Sequence, residues 1–296
     1  MKNIFLVDGS WFLFRARYAV NEIINQEWQN VNVVFGFSLM MMKLFLEHPD
    51  YFVIAWDSPI KTKRHEEYSE YKANRKKMDD AFKSQIPLVK ELVDELGIPN
   101  ITAPWYEADD IISTLVWKYK NIEGLYLHVY TSDKDLKQFL ADNIFIKDSL
   151  KGQTTSLQDF EKEYGFEPQH IVDYLALIGD SADNIKGVNG IGPKKALNLV
   201  QTYWSIENIY EHLDLLPNEL KEKLVADKDS AYFSKHLIEL LEVPELKETS
   251  IESLKFSIDF NKREHLLFEK WQFRSIEKVF KELKKLYTMP QQVGLF

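Results

Sequence analysis

Residues 3–10 read Asn3-Ile4-Phe5-Leu6-Val7-Asp8-Gly9-Ser10, an apolar run that stops abruptly on an acid and a glycine. A short apolar run bounded by turn residues is the pattern of a strand buried on both faces. The form recurs at Tyr51 to Trp56, which Asp57 follows, at Leu125 to Tyr130, with Asp133 and Asp135 just beyond, and at Asn143 to Ile146. Helical spacing fills the intervals, so residues 1–160 are expected to form an α/β domain with a mostly parallel sheet. From about Phe160 the strand pattern stops, and Pro168, Pro193, Pro217 and Pro244 punctuate helical segments. This places a helical region at 161–285 and a tail at 286–296.

With 296 residues, 45% of them hydrophobic, the chain can bury a large core, and disorder is excluded. The absence of cysteine removes disulfides, thiolate nucleophiles and thiolate metal sites together. Asp8 breaks the N-terminal apolar run before a secretory segment can form, and Asn32, Ser38 and Lys43 break the run Val31 to Leu46, which suits a buried helix. The expectation is a cytoplasmic protein with no membrane contact. A net charge of −9 argues against a phosphate-binding surface at first sight. Setting aside nine acids in ligand-like motifs leaves acids and bases in equal number, so bulk charge decides nothing about nucleic acid.

In a parallel sheet, Asp8, Asp57, Asp133 and Asp135 share the carboxyl edge, where such folds place their sites. The stretch Tyr106-Glu-Ala-Asp-Asp-Ile-Ile112 adds Glu107, Asp109 and Asp110 at the start of a helix. Acids in a first turn also complement the helix dipole, and acids after strands also serve turns. Neither reading explains convergence on one edge, since so many carboxylates resist ionising together unless cations neutralise them. Oxygen-only ligands favour hard divalent ions. A further pair, Asp180 and Asp183, sits three apart after the apolar run Tyr174 to Ile178, a spacing that could put both on one helical face. Then comes Gly187-Val-Asn-Gly190-Ile-Gly192-Pro193-Lys194-Lys195-Ala196. Glycines let a backbone approach phosphate, and Pro193 suits the first position of a helix whose free amides face an anion.

The strings FLVDGS, AWDSP, EYKANR, YEADDII, TSDKDL, LIGDSADNIKGVNGIGPKKA and FEKWQF resemble the 5′-nuclease (flap endonuclease) superfamily from Asn3 to about Phe280, most nearly the 5′→3′ exonuclease domain of bacterial DNA polymerase I. The resemblance implies a resolvase-like, or PIN-like, sheet followed by a helix-three-turn-helix DNA-binding subdomain. It assigns Asp8, Asp57, Glu107, Asp109, Asp110, Asp133, Asp135, Asp180 and Asp183 to two or three Mg²⁺ or Mn²⁺ ions. Gly187, Gly190, Gly192, Lys194 and Lys195 would grip the DNA backbone, with K⁺ held by carbonyls of the same element. The charge-dense stretch Lys61 to Lys83 corresponds to a helical arch, about 60–86, in which Lys72 and Arg75 would act at the scissile phosphate and Arg64 would contact DNA. Arg15 matches a further basic position near the site.

The implied reaction is hydrolysis of DNA phosphodiesters at 5′ ends or flaps, RNA–DNA primers included, by a monomer using two metal ions. The seven histidines form no ligand-like cluster and no serine sits in a nucleophile elbow, so covalent catalysis has no candidate. A PIN-type ribonuclease would share the acids but leave the glycine-rich element without purpose. A non-catalytic junction-binding module would tolerate the loss of acids that this chain retains. In the tail, Gln292, Leu295 and Phe296 resemble peptides that dock on a sliding clamp.

Overall fold

The computed structural model describes residues 1–148 and 151–288. Strand β1 (Lys2–Asp8) leads into helices α1 (Gly9–Ala19) and α2 (Asn32–Phe45), then β2 (Tyr51–Trp56). The short helices α3 (Lys63–Glu67) and α4 (Asp80–Lys83) flank an irregular loop, and α5 (Gln85–Leu96), β3 (Asn100–Thr102), α6 (Ala108–Tyr119), β4 (Leu125–Tyr130), β5 (Ile144–Asp148) and β6 (Gln153–Thr155) follow. The sheet order is β3-β2-β1-β4-β5-β6, parallel throughout except that β6 runs against β5. Order reverses beside β1, with β2 on one side and β4 on the other, so the carboxyl ends of these three strands open a crevice.

β1 is central because both its faces are buried. Ile4 and Leu6 face one core with Val53, Leu127 and α6, while Phe5 and Val7 face the other with α1, α2 and α5. The helical half, α7 (Leu157–Tyr164), α8 (Ile171–Ile178), α9 (Pro193–Tyr203), α10 (Ile206–Glu211), α11 (Asn218–Ala226) and α12 (Lys228–Ile238), joins the first core.

The sequence placed one helical region at 161–285. The chain instead crosses the sheet near Phe256, whose N–H donates to the Asp50 carbonyl at 2.9 Å, and α13 (Phe260–His265) and α14 (Glu277–Thr288) pack on the second core. The cause is aromatic: Phe256 and Phe260 meet Phe45, and Phe256 also meets Phe52. The tail with Gln292, Leu295 and Phe296 lies outside the described residues. Among the described residues no helix is long and apolar enough to cross a membrane.

Asp180 and Asp183 do not share a helix. α8 ends at Ile178, Gly179 turns the chain, and Asp180 pairs with Ile185 through two backbone hydrogen bonds of 2.8 Å. The i,i+3 spacing therefore belongs to a tight turn. Gly187 closes its far side at φ +67°, where a Cβ would lie 2.4 Å from the Gly179 nitrogen. We expect Gly187→Ala to cost about 2–4 kcal/mol through this collision and the left-handed backbone together, read as a lower urea midpoint at unchanged m-value. A loss under about 0.5 kcal/mol would show that the turn can open without strain.

Candidate active site

Asp8, Asp57, Asp109, Asp133, Asp180 and Asp183 line one cleft of about 330 Å³ at the carboxyl edge, with Lys72, Arg75 and Lys134 interleaved. Backbone amides and hydroxyls fix most of these acids. Asp8 caps α1 by accepting the Trp11 N–H at 2.9 Å, and its second oxygen accepts the Thr131 hydroxyl at 3.1 Å. Thr131 Oγ1 in turn accepts the Asp133 N–H at 3.0 Å, and Asp133 accepts the Asp135 N–H at 2.8 Å. Asp57 accepts the Ala108 N–H at 2.9 Å, which pins the end of β2 to the start of α6.

Three basic residues and a tyrosine answer these charges. Lys72 Nζ donates to Glu107 at 2.8 Å, Arg75 pairs with Asp183 at 2.5 Å and Lys134 with Asp180 at 3.1 Å. The Tyr71 hydroxyl is shared between Glu107 at 3.0 Å and Asp183 at 3.1 Å. Tyr71 entered the sequence reading only as part of the string EYKANR; its position beside Lys72 was the available signal. Thr131, Ser10 and Lys134 were not anticipated, although Thr131 and Lys134 lie in or beside TSDKDL and Ser10 ends FLVDGS.

The pairing leaves the deepest carboxyls short of positive charge. Burial, then Asp57, pushes the Asp8 carboxyl up to about 7. Burial raises Asp109 well above the usual carboxylate range with help from Asp133 and Asp8, and raises Asp135 similarly with help from Asp133 and Asp180. Asp183 goes the other way: burial opposes its ionisation, but Lys72 and Arg75 together hold it below the usual range. One buried oxygen on each of Asp109 and Asp135 has no hydrogen-bond partner. Unpartnered oxygens beside carboxyls that resist ionising are what a hard divalent cation would satisfy. Among the described residues no three acidic or histidine side chains are already gathered around a single point.

Three expected site residues, Arg64, Asp110 and Arg15, lie elsewhere. Arg64 spends all five of its N–H donors inside the protein: on Asp110 twice at 2.9 Å, on Glu107 at 3.4 Å and on the carbonyls of Leu237 and Glu239 at 2.8 Å. Asp110 accepts, besides Arg64, the N–H groups of Glu107 and Leu241 at 2.9 Å and is fully buried. Arg64 therefore offers no phosphate contact and Asp110 no free oxygen for a metal, and the pair fastens the arch base and α6 to the end of α12. Arg15 lies outside the cleft lining, its guanidinium 5.5 Å from the Trp11 ring that forms part of the wall. Glu107 stands just behind the cleft, held by Lys72, Tyr71 and Arg64. Gly187, Gly190 and Gly192 shape the turn before α9, and Lys194 and Lys195 stand exposed on its first turn.

Residues 3–165 match the family model for the 5′-3′ exonuclease N-terminal resolvase-like domain, and residues 166–259 the model for the 5′-3′ exonuclease C-terminal SAM fold. A 5′-3′ exonuclease of Aquifex aeolicus is 35% identical over the full length of both chains. The DNA polymerase I of Bacillus subtilis is 35% identical over 89% of this chain, which spans only 30% of that protein. In fold, the chain resembles bacteriophage T5 5′-exonuclease solved with zinc ions (TM-score 0.70, 18% identity, 96% of this chain and 99% of that one). It also resembles the catalytic core of Rad2 in complex with DNA substrate (TM-score 0.62, 18% identity, 95% and 91%).

A carboxyl whose folded-state pKa is raised contributes stability at low pH that is lost as pH rises through that value, near 7 for Asp8. Metal-free protein should accordingly lose thermal stability between pH 5 and pH 8. Asp109→Asn, which removes one of the repelling charges, should raise Tm in EDTA by a few degrees at pH 8 and by less at pH 5. A lower Tm for the variant at pH 8 would show that Asp109 is ionised at no cost.

Proposed function

The chain belongs to the 5′-3′ exonuclease family, and from that premise we propose that it is a divalent-metal-dependent 5′-3′ exonuclease and flap endonuclease acting on DNA at 5′ ends and junctions. The observation that carries this reading is the meeting of acids from five separated segments in one cleft, with Lys72 and Arg75 of the arch on its wall.

Asp8, Asp57, Asp109, Asp133, Asp135, Asp180, Asp183 and Glu107 are the residues we assign to the metal centre, directly or through water. Divalent ions bound there would act as Lewis acids, lower the pKa of water and neutralise charge on the attacking and leaving oxygens. Charge balance supports two of them. The lining holds six carboxylates and three cations, a net of −3 if all ionise; two divalent ions bring it to +1, which one phosphodiester neutralises. We favour Mg²⁺ or Mn²⁺ on the all-oxygen donor set.

Lys72 and Arg75 pair with Glu107 and Asp183. With those carboxylates held by divalent ions, both side chains would be free to hold non-bridging oxygens of the scissile phosphate, charge-assisted donors at the point where negative charge builds. Ser10 and Ser132 add hydroxyl donors on the wall. The turn Gly187 to Gly192 and the exposed amino end of α9, with Lys194 and Lys195, would grip duplex backbone without reading sequence, and turn carbonyls would hold the K⁺ ion. This grip is structure-selective and salt-sensitive. For the tail, we assign Gln292, Leu295 and Phe296 to a sliding clamp.

Incubated with a 5′-labelled flap duplex, wild-type protein should cut near the junction in Mg²⁺ and not in EDTA, and Asp135→Ala should lose at least about 100-fold in rate. Binding without cutting in any divalent ion would favour a junction-binding module, and cutting confined to single-stranded RNA a ribonuclease. Deleting residues 291–296 should abolish binding to the clamp of the source organism while leaving nuclease rate unchanged; undiminished clamp affinity would remove the tail assignment.

A further inference from the structure

Trp105 occupies the third position of the turn Ala103 to Tyr106, closed by the Tyr106 N–H on the Ala103 carbonyl at 3.3 Å, and its φ is +66°. That left-handed position suits glycine or asparagine, and a bulky side chain held there is strained. Its backbone is fixed from both sides. The N–H donates to Ser58 Oγ at 3.1 Å, and the carbonyl accepts the Lys63 N–H at 3.0 Å. With Ser58 N–H on the Tyr106 carbonyl at 3.1 Å and Ala108 N–H on Asp57, the loops 57–63 and 105–108 are laced into one rim beside the cleft acid Asp57.

Glycine could supply every one of these backbone bonds without strain, so the backbone conformation does not require the indole. The side chain is 48% exposed and, among the described residues, shows no ring, ion-pair or side-chain hydrogen-bond partner. Ile60, 49% exposed, lies in the segment between the two residues that fix Trp105, and Lys61 beside it is exposed as well. The backbone bonds thus present an exposed indole two residues from Glu107 and one hydrogen bond from Ser58, the residue after Asp57.

We propose that Trp105 is a substrate-positioning residue that stacks on a nucleobase left unpaired at the mouth of the cleft, with Ile60 packing against its sugar and Lys61 near its phosphate. This rests on the nuclease reading above. An aromatic suits this rim for an electrostatic reason. A neutral ring grips the substrate without pairing with the cleft acids, which stay free for metal. Every base offers a π face, so the contact is indifferent to sequence.

The test compares wild type, Trp105→Gly and Trp105→Phe on a 5′-flap duplex carrying 2-aminopurine at positions flanking the junction. Binding is read by anisotropy in EDTA, turnover in Mg²⁺ and folding by Tm. The expected result is that Trp105→Gly keeps or raises Tm, weakens Kd and raises KM by roughly tenfold, and leaves kcat within about twofold. The wild type should quench one 2-aminopurine position, Trp105→Phe should retain most of the affinity and Trp105→Gly should lose the quench. Wild-type affinity and KM in Trp105→Gly overturn the proposal. So does an equal loss in both variants with a fallen Tm, which marks a purely structural role. A wild type that neither binds nor cuts flap DNA overturns the nuclease reading itself, and the positioning role with it.

Discussion

The structure turns on mutual repulsion among carboxylates that the sheet forces together. Asp8 ends β1, Asp57 follows β2 and Asp133 follows β4, so the parallel register of three neighbouring strands fixes their spacing before any side chain chooses a rotamer. α6 adds Asp109 and the turn after α8 adds Asp180 and Asp183. Burial makes each charge costly and proximity makes each neighbour costlier, which is why Asp8, Asp109, Asp133 and Asp135 all bind protons more tightly than free carboxylates do. A fold that keeps such a cluster gives up stability for a site, and must recover it elsewhere.

It does so in two cores that share one sheet. β1 is buried on both faces, and the carboxyl-terminal segment crosses over to cover the face that α2 and α5 leave open. Rigidity there matters at the cleft, because Asp8 is both the last residue of β1 and the cap of α1. The two halves are joined at a second charged point. Arg64 and Asp110 are buried ions with every donor and acceptor used, and together they bind the arch base, α6 and the end of α12. A buried pair of this kind contributes little net stability but is costly to break, so it fixes geometry more than it holds the fold together. Here the geometry it fixes is that of Glu107, the amino-terminal cap of α6.

Much of this was legible in the sequence because period and position carry it. Apolar runs ending on acids announced β1, β2 and β4 with their edge residues, and the broken apolar run from Val31 became the buried helix α2. β3 and β6 were missed: three residues each, rich in Asn, Gln and Thr, leave no alternation to detect. Asp180 and Asp183 were read as helical because i,i+3 spacing fits a turn as well as a helix, and only Gly179 at φ +74° separates the two. Arg64 was misread because a basic residue in a charged segment looks solvated. Its partners, the carbonyls of Leu237 and Glu239, lie more than 170 residues away and have no side-chain signature. Trp105 went unnoticed because exposure and backbone sign are invisible in composition.

The arch shows how one set of side chains can serve two electrostatic states. Lys72 sits at φ +56°, its own N–H on the Asp183 carbonyl at 3.0 Å and its ammonium on Glu107. Arg75 holds Asp183, Asn74 donates to the Ser181 carbonyl at 2.5 Å, and Asn184 reaches back to the Glu70 carbonyl at 2.8 Å. Residues 70–75 thus lie against the acidic turn through both backbone and charge. The backbone bonds are indifferent to what fills the cleft, whereas the ion pairs compete directly with any cation that enters it. In the nuclease reading proposed above, residues 70–75 would stay docked through these backbone bonds while Lys72 and Arg75 exchange carboxylate for phosphate. Coupling of this kind needs no hinge: a buried ammonium and a half-buried guanidinium exchange one anion for another inside a frame that the hydrogen bonds already hold.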